Sequence, residues 1–140
     1  MTNVTETAGA ARIRQWFDAS PFNKHLGLRI VRLEKDRAEI LMPFSSALPT
    51  LADVVHGGAI STLADTAATV VSWAGVESPS DRGGATVALT VEFLAAARGR
   101  DLTATARTLR RGRNICFSEV DVTEPDGNLV AKALATYKLG

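Results

Sequence analysis

The chain has 140 residues, 46% of them hydrophobic and 22% charged, which fits one globular domain burying roughly 68–70% of its unfolded surface. Its formal net charge is +1, with the signs interspersed, so nothing advertises a nucleic-acid or membrane partner and a basic groove would have to be local. A single cysteine, Cys116, rules out an internal disulfide, and two histidines, His25 and His56, are too few for a metal cluster, so neither metal nor cofactor is expected.

The opening "MTNVTETAGAARIR" has no apolar targeting run, and no segment is long and apolar enough to cross a bilayer; a reducing cytoplasm is the expected compartment. Residues 1–8 are polar and expected to fray. Ile13, Trp16 and Phe17 recur at helical spacing over 10–19, and this short amphipathic helix stops at "SPFN". The stretch 26–44 reads as two strands around Lys35-Asp36, and 45–55 as a loop. A long helix is predicted over 57–74, with Gly75 at its C-terminal stop. After the loop 77–84 the period changes from 3.6 to 2. Strands are predicted at 85–94, 100–110, 114–124 and 128–139, rich in threonine and valine. The short turns around Gly112 and at "PDG" (125–127) make them an antiparallel meander.

This order predicts an α+β fold, with an antiparallel sheet curled around the long helix. That helix is apolar nearly all round. One sheet covers only one of its sides, so a second protein surface is expected on the other.

Asp65 stands in the middle of that helix. An ionised carboxylate in apolar surroundings is costly unless it is hydrogen-bonded. Ser61 and Thr69 lie four residues either side and could bond it, which would make it a satisfied structural acid. The alternative is chemical. Gly57 and Gly58 open the helix, where the first N–H groups lack intrahelical partners and the positive dipole end suits a developing oxyanion. A glycine pair also serves an ordinary opening turn. Gly58 and Asp65 are seven residues apart, about 10 Å along the axis, whereas a reacting group must come within about 3–3.5 Å of its target. Two antiparallel helices would bring the glycines of one to the acid of the other. The small Ala59, Ala64, Ala67 and Ala68 would allow that approach across a two-fold interface.

"HGGAISTLADTAATVVSW" and the strands after it resemble the hotdog-fold acyl-CoA thioesterases of the phenylacetic-acid-degradation type, over nearly the whole chain from Leu26. The resemblance implies a hotdog domain at 21–140 behind a tail and short helix at 1–20. It also implies homodimers, commonly assembled into homotetramers; the charge balance already leaves no nucleic-acid or membrane partner expected. Asp65 matches the family's catalytic acid, a general base on water or a nucleophile. Gly58, with Gly57 adjacent, matches the donor that polarises the thioester carbonyl. His56 matches the motif histidine, which either orients the loop or contacts the carbonyl region. Thr86 matches a hydroxyl position that orients water, although a threonine there also simply suits a strand. Thr50 departs from the pattern: the family often has asparagine or glutamine six residues before the histidine, and Asp53 replaces a usual glycine.

Coenzyme A would bring phosphates, and Arg98, Arg107, Arg110, Arg111 and Arg113 lie near strand ends. Arg111, Arg113 and Asn114 in "RRGRN" are the preferred contacts; solvated surface is the other reading. Leu63, Val70, Trp73 and the 77–84 loop are expected around the acyl group, although a tryptophan at this spacing also suits a core. Acyl-CoA hydrolysis is thus the leading reading. A non-catalytic acyl-CoA sensor and a hotdog dehydratase are the competitors. The first lacks an added DNA-binding segment, and the second differs in the context of its histidine and acid.

Overall fold

The computed structural model describes residues 6–140. Two helices come first, α1 (Ala8–Ala19) and α2 (Pro21–Leu26). Thr7 caps α1 by accepting from the Ala10 N–H at 3.0 Å. It also donates its hydroxyl to the Ala74 carbonyl at 2.6 Å, so among residues 1–8 the expectation of fraying fails at Thr7; residues 1–5 lie outside the described ones. Ser20 ends α1 and caps α2, whose Pro21 sits in the first turn and whose C-cap, Gly27, is left-handed at φ 68°. The stop at "SPFN" is therefore a helix-to-helix corner. Six residues carry too little periodicity for α2 to be visible in the sequence.

A hairpin follows, β1 (Arg29–Glu34) and β2 (Arg37–Met42). The segment read as a loop at 45–55 contains a second, small hairpin, β3 (Pro49–Leu51) and β4 (Val54–Val55), turned at Ala52 with φ 52°. The long helix α3 runs Gly57–Ala74, and β5 (Ala85–Phe93), β6 (Leu102–Arg111), β7 (Ile115–Thr123) and β8 (Leu129–Lys138) complete the chain. The main sheet is antiparallel with order β1-β2-β6-β7-β8-β5. Only β6, β7 and β8 form a sequential meander. β5 pairs with β8 at the far edge, Ala85 opposite Lys138 and Phe93 opposite Ala131. The chain then crosses back through 94–101, tied to the small hairpin by bonds from the Val55 N–H to the Ala97 carbonyl and from the Gly99 N–H to the Asp53 carbonyl.

The sheet wraps α3. Its inward residues alternate, as on a half-buried pleat: Leu102, Ala104 and Ala106 on β6, Val120 and Val122 on β7, Ala131, Ala133 and Ala135 on β8. Those alanines let the strands approach the helix closely. Ala64, Ala67 and Ala68 of α3 face this core and are fully buried within one protomer. They are not free for helix-helix approach, contrary to expectation; of the four small residues only Ala59 keeps partial exposure.

The surface expected to come from a second subunit is in large part the chain's own. Helix α1 packs on α3, burying Ile13 and Phe17, and its Gly9 N–H bonds to the Val76 carbonyl at 2.9 Å. A Cβ on Gly9 would collide with the Val76 carbonyl oxygen at 2.7 Å, so this close approach needs glycine. Beyond its opening Gly57, Gly58 and Ala59, what remains open on α3 is a polar strip, Ser61, Thr62, Asp65, Thr66 and Thr69, all partly exposed.

Candidate active site

Helix α3 is opened by His56, whose N–H donates to the Leu48 carbonyl at 2.9 Å and whose Nδ1 accepts from the Gly58 N–H at 2.7 Å. An imidazole at a helix N-cap thus does the work usually given to a serine or aspartate oxygen, and the neutral ring carries its hydrogen on Nε2. Two consequences follow. A Cβ on Gly58 would lie 2.9 Å from that Nδ1, so the cap requires glycine there. The Gly58 N–H is also already engaged, whereas the Gly57 N–H has no partner among the described residues. The open donor at the helix start is therefore Gly57, a correction to the expectation that favoured Gly58. A Cβ on Gly57 would sit 3.3 Å from the Phe93 ring, which places that ring against the helix opening.

Asp65 lies two turns further along α3, partly exposed. Its hydrogen-bond donor is the Thr86 hydroxyl, 2.7 Å from Oδ1. Ser61 and Thr69, the expected partners, make no bond to it among the described residues; Thr62 and Thr66 return their hydroxyls to helix carbonyls at Gly58 and Thr62. Thr86 stands at the start of β5 beside a register shift against β8, which aims its side chain at the helix. The carboxylate faces a cavity of about 220 Å³, walled by Ile13, Trp16, Phe17 and Asn23 from the N-terminal helices and by Thr66, Thr69 and Val70 of α3. A hydroxyl-bound carboxylate on an open cavity can accept a proton from water or attack a carbonyl carbon.

The remaining predicted residues are dispersed. Thr50, exposed on β3, borders a separate cavity of about 470 Å³ with Phe44, Ser46 and Asp53. Trp73 is buried and donates its indole N–H to the Tyr137 hydroxyl at 2.9 Å. It borders, with Arg82, Arg113 and Asn114, a third cleft of about 320 Å³ beside the 77–84 loop. Leu63 is wholly enclosed; of the residues expected around the acyl group, only Val70 reaches the Asp65 cavity.

Arg111 is committed elsewhere. Its guanidinium donates to the Ser72 and Val71 carbonyls at the end of α3, at 2.6 and 3.1 Å, and pairs with Asp36 at 3.1 Å. It acts as a C-terminal cap. Gly75 leaves room for it, since a Cβ there would run into the guanidinium. Arg98 pairs with Asp53 and Arg107 with Asp121, whereas Arg110 and Arg113 have no ion pair among the described residues.

Tyr137 connects the core to the site. Burial raises its pKa above the ordinary 10.0; the hydrogen bond from Trp73 opposes that rise, and the negative charge of Asp65 adds to it.

The sequence reading missed Trp16, Phe17 and Asn23 as neighbours of Asp65. The signal was present in the amphipathic helix at 10–19, but not the surface against which it packs.

A six-stranded antiparallel sheet wrapped on one long helix is the hotdog fold, and the chain's relatives make it a thioester hydrolase. The family model of the thioesterase superfamily matches residues 52–131, and the chain belongs to that superfamily. It is 31% identical to the medium/long-chain acyl-CoA thioesterase YigI of Salmonella typhimurium, the alignment covering 86% of each chain. Among solved structures it resembles a thioesterase family protein from Silicibacter pomeroyi, with 28% identity, a TM-score of 0.86, and coverage of 95% of this chain and 100% of that one. It shares its fold with the E. coli PaaI protein of the phenylacetic acid degradation operon, at 22% identity and a TM-score of 0.83, covering 97% and 96%.

Proposed function

We propose that the protein hydrolyses an acyl- or aryl-acyl-coenzyme A thioester to the free acid and coenzyme A. Asp65 is the base that activates water or the nucleophile that attacks directly, and Thr86 holds its carboxylate in position. The N–H at the start of α3 in a second subunit polarises the thioester carbonyl. The donor in this reading is Gly57, since the Gly58 N–H already bonds to His56. His56 positions that opening turn.

The reading rests above all on Asp65, a helix-borne carboxylate that faces a cavity and is fixed by one hydroxyl. Gly57 lies eight residues away on the same helix, about 12 Å by helical rise, so both groups cannot reach one carbonyl from one chain. Strand β5 supplies the way round this. Its outer edge is unpaired among the described residues, it exposes Val87 and Phe93, and its two ends touch the two halves of the site, Thr86 on Asp65 and Phe93 on Gly57. If two copies pair antiparallel along β5, the start of one strand meets the end of the other. The acid of one subunit then faces the amide of its partner, in a homodimer that can pair again as a homotetramer.

Arg113 and Asn114 on the cleft with Arg82 are the candidates for the coenzyme A phosphates. Thr50, on its separate cavity with Phe44 and Asp53, is the candidate for the family's amide position. In this reading the hotdog domain is 21–140, α1 (Ala8–Ala19) is an attachment packed on it, and the cytoplasm is the compartment of this chemistry.

Thiol release from a panel of acyl-CoAs tests the activity. Asp65→Asn removes the basic oxygen while keeping shape, and turnover is expected to fall by about 10²–10⁴, with the thermal midpoint retained. Full activity in that variant refutes the role.

A further inference from the structure

The cavity beside Asp65 has a polar side that the reaction above leaves without a task. Asp65, Thr66 and Thr69 of α3 and Asn23 of α2 all border it. Thr66 is committed, returning its hydroxyl to the Thr62 carbonyl at 2.8 Å. Asp65 takes the Thr86 hydroxyl on Oδ1, which leaves its second carboxylate oxygen for a proton. The Thr69 hydroxyl is a rotor that donates or accepts according to its neighbours. Asn23 is different, because its orientation is set.

The corner between α1 and α2 sets it. The Asn23 N–H donates to the Ser20 hydroxyl oxygen at 3.3 Å, and its backbone carbonyl accepts from the Leu28 N–H at 2.9 Å. In the side chain, Nδ2 donates to the Phe17 carbonyl at 3.3 Å. A carbonyl can only accept, so this bond identifies which end of the carboxamide is nitrogen. The corner uses nothing more of the side chain. Oδ1, with two lone pairs, has no partner among the described residues and is the free end of a residue that borders the cavity.

An acceptor at this place is selective about what it serves. It repels an oxyanion and an attacking carboxylate alike, and it binds only a donor. Water is such a donor, with one O–H for Asn23 and one for Asp65. Thr50 does not compete for this task within one chain, since it borders a separate cavity.

We infer that Asn23 is a further catalytic residue, whose Oδ1 holds one hydrogen of the attacking water while the Asp65 carboxylate takes the other. The inference rests on the hydrolase reading above and narrows it to base catalysis. The water oxygen forms its bond to the thioester carbonyl carbon as one proton passes to Asp65. The C–S bond then breaks, and the sulfur leaves with that proton as the free thiol of coenzyme A. The hydrogen held by Asn23 stays with the acid product. With both of its hydrogens engaged, the water presents a lone pair in one direction.

The test measures thiol release from hexanoyl-, dodecanoyl- and phenylacetyl-CoA. In Asn23→Ala kcat is expected to fall about tenfold, the worth of one hydrogen bond, with KM and the thermal midpoint nearly unchanged. Asn23→Asp gives a readout that a purely structural residue would not move. Asp65 is the sole titratable side chain bordering the cavity, and the neighbours supplied to it by α2, α3 and β5, Asn23, Thr66, Thr69 and Thr86, are neutral. A second carboxylate at 23 opposes the ionisation of Asp65, so the acid limb of kcat/KM is expected to move up by about one pH unit. Intact mass of Asn23→Ala during turnover should show no acyl group on the protein, because water attacks the thioester itself.

An unchanged kcat in Asn23→Ala, an unmoved acid limb in Asn23→Asp, or an acyl adduct on Asp65 overturns the inference. Loss of the hydrolase reading looks different: no thiol release by wild type from any of the three substrates, or equal release by Asp65→Asn.

Discussion

Gly57 and Gly58 are neighbours with the same side chain, yet the opening of α3 gives them separate tasks. Gly58 has no Cβ because the His56 ring lies where one would stand, and its N–H closes the cap. Gly57 keeps its N–H open and accommodates the Phe93 ring. Asp65 has a similar economy, one hydroxyl donor and one cavity. Its charge is felt in the core, where Tyr137 is raised first by burial, with Trp73 opposing and Asp65 adding to the rise. A pKa above the unfolded 10.0 means that the native state holds the phenolic proton more tightly. The associated stability is complete below about pH 10 and is lost as pH climbs through the native value. Tyr137 is the sole tyrosine, so absorbance titration at the phenolate band reads it cleanly. The native midpoint is expected above 10.0, returning to 10.0 in denaturant and moving down in Asp65→Asn. A native midpoint at or below 10.0 contradicts this coupling.

At the level of elements, α3 was legible almost to the residue. Its start is marked by "HGG", its end by Gly75, and ten of its residues are buried. Gly75 ends it without a left-handed turn, at φ −94°, and a Cβ there would displace the Arg111 guanidinium that caps the helix. Strand positions were legible from their period, but strand partners were not. Nothing local in 85–94 says that it pairs with 128–139 and not with the next strand. For the same reason, the cover that α1 gives to α3 was unreadable, since Trp16 and Asp65 are brought together only by packing. Each of Ile13 and Phe17 contributes about 1.5–3 kcal/mol by burial, enough to dock a 12-residue helix. Strand β5 is the element with an unanswered need, an unpaired edge carrying Val87 at 62% exposure. A charge there blocks edge pairing. Val87→Asp is expected to elute as a monomer by light scattering where wild type elutes as a dimer or tetramer, and to lose most hydrolysis. A variant that keeps the wild-type mass removes β5 from the interface.

For the whole molecule, the hotdog fold was legible because helix, turns and alternating strands agree with one another. The candidate site was legible in part, as Asp65, Thr86, His56 and a glycine amide. The basic turn was not: Arg111 looked like a phosphate ligand and is a helix cap, because a guanidinium fork suits carbonyls at a helix end as well as phosphates. What joins the separate parts is the proposed pairing of two chains, which closes the β5 edge and sets the acid of one against the amide of the other. Subunit complementation tests it most directly. Gly57→Pro deletes the open N–H at the first helical position, where proline's fixed φ fits; the Phe93 ring must give by a few tenths of an ångström, and His56 already has the φ −59°, ψ 134° that a following proline prefers. Asp65→Asn deletes the acid. Each variant alone is expected to be nearly inactive. Refolded together in equal amounts they should recover roughly a quarter of wild-type thiol release, since half the dimers are mixed and each of those carries one intact site. A mixture no more active than its two components would contradict a site shared between subunits.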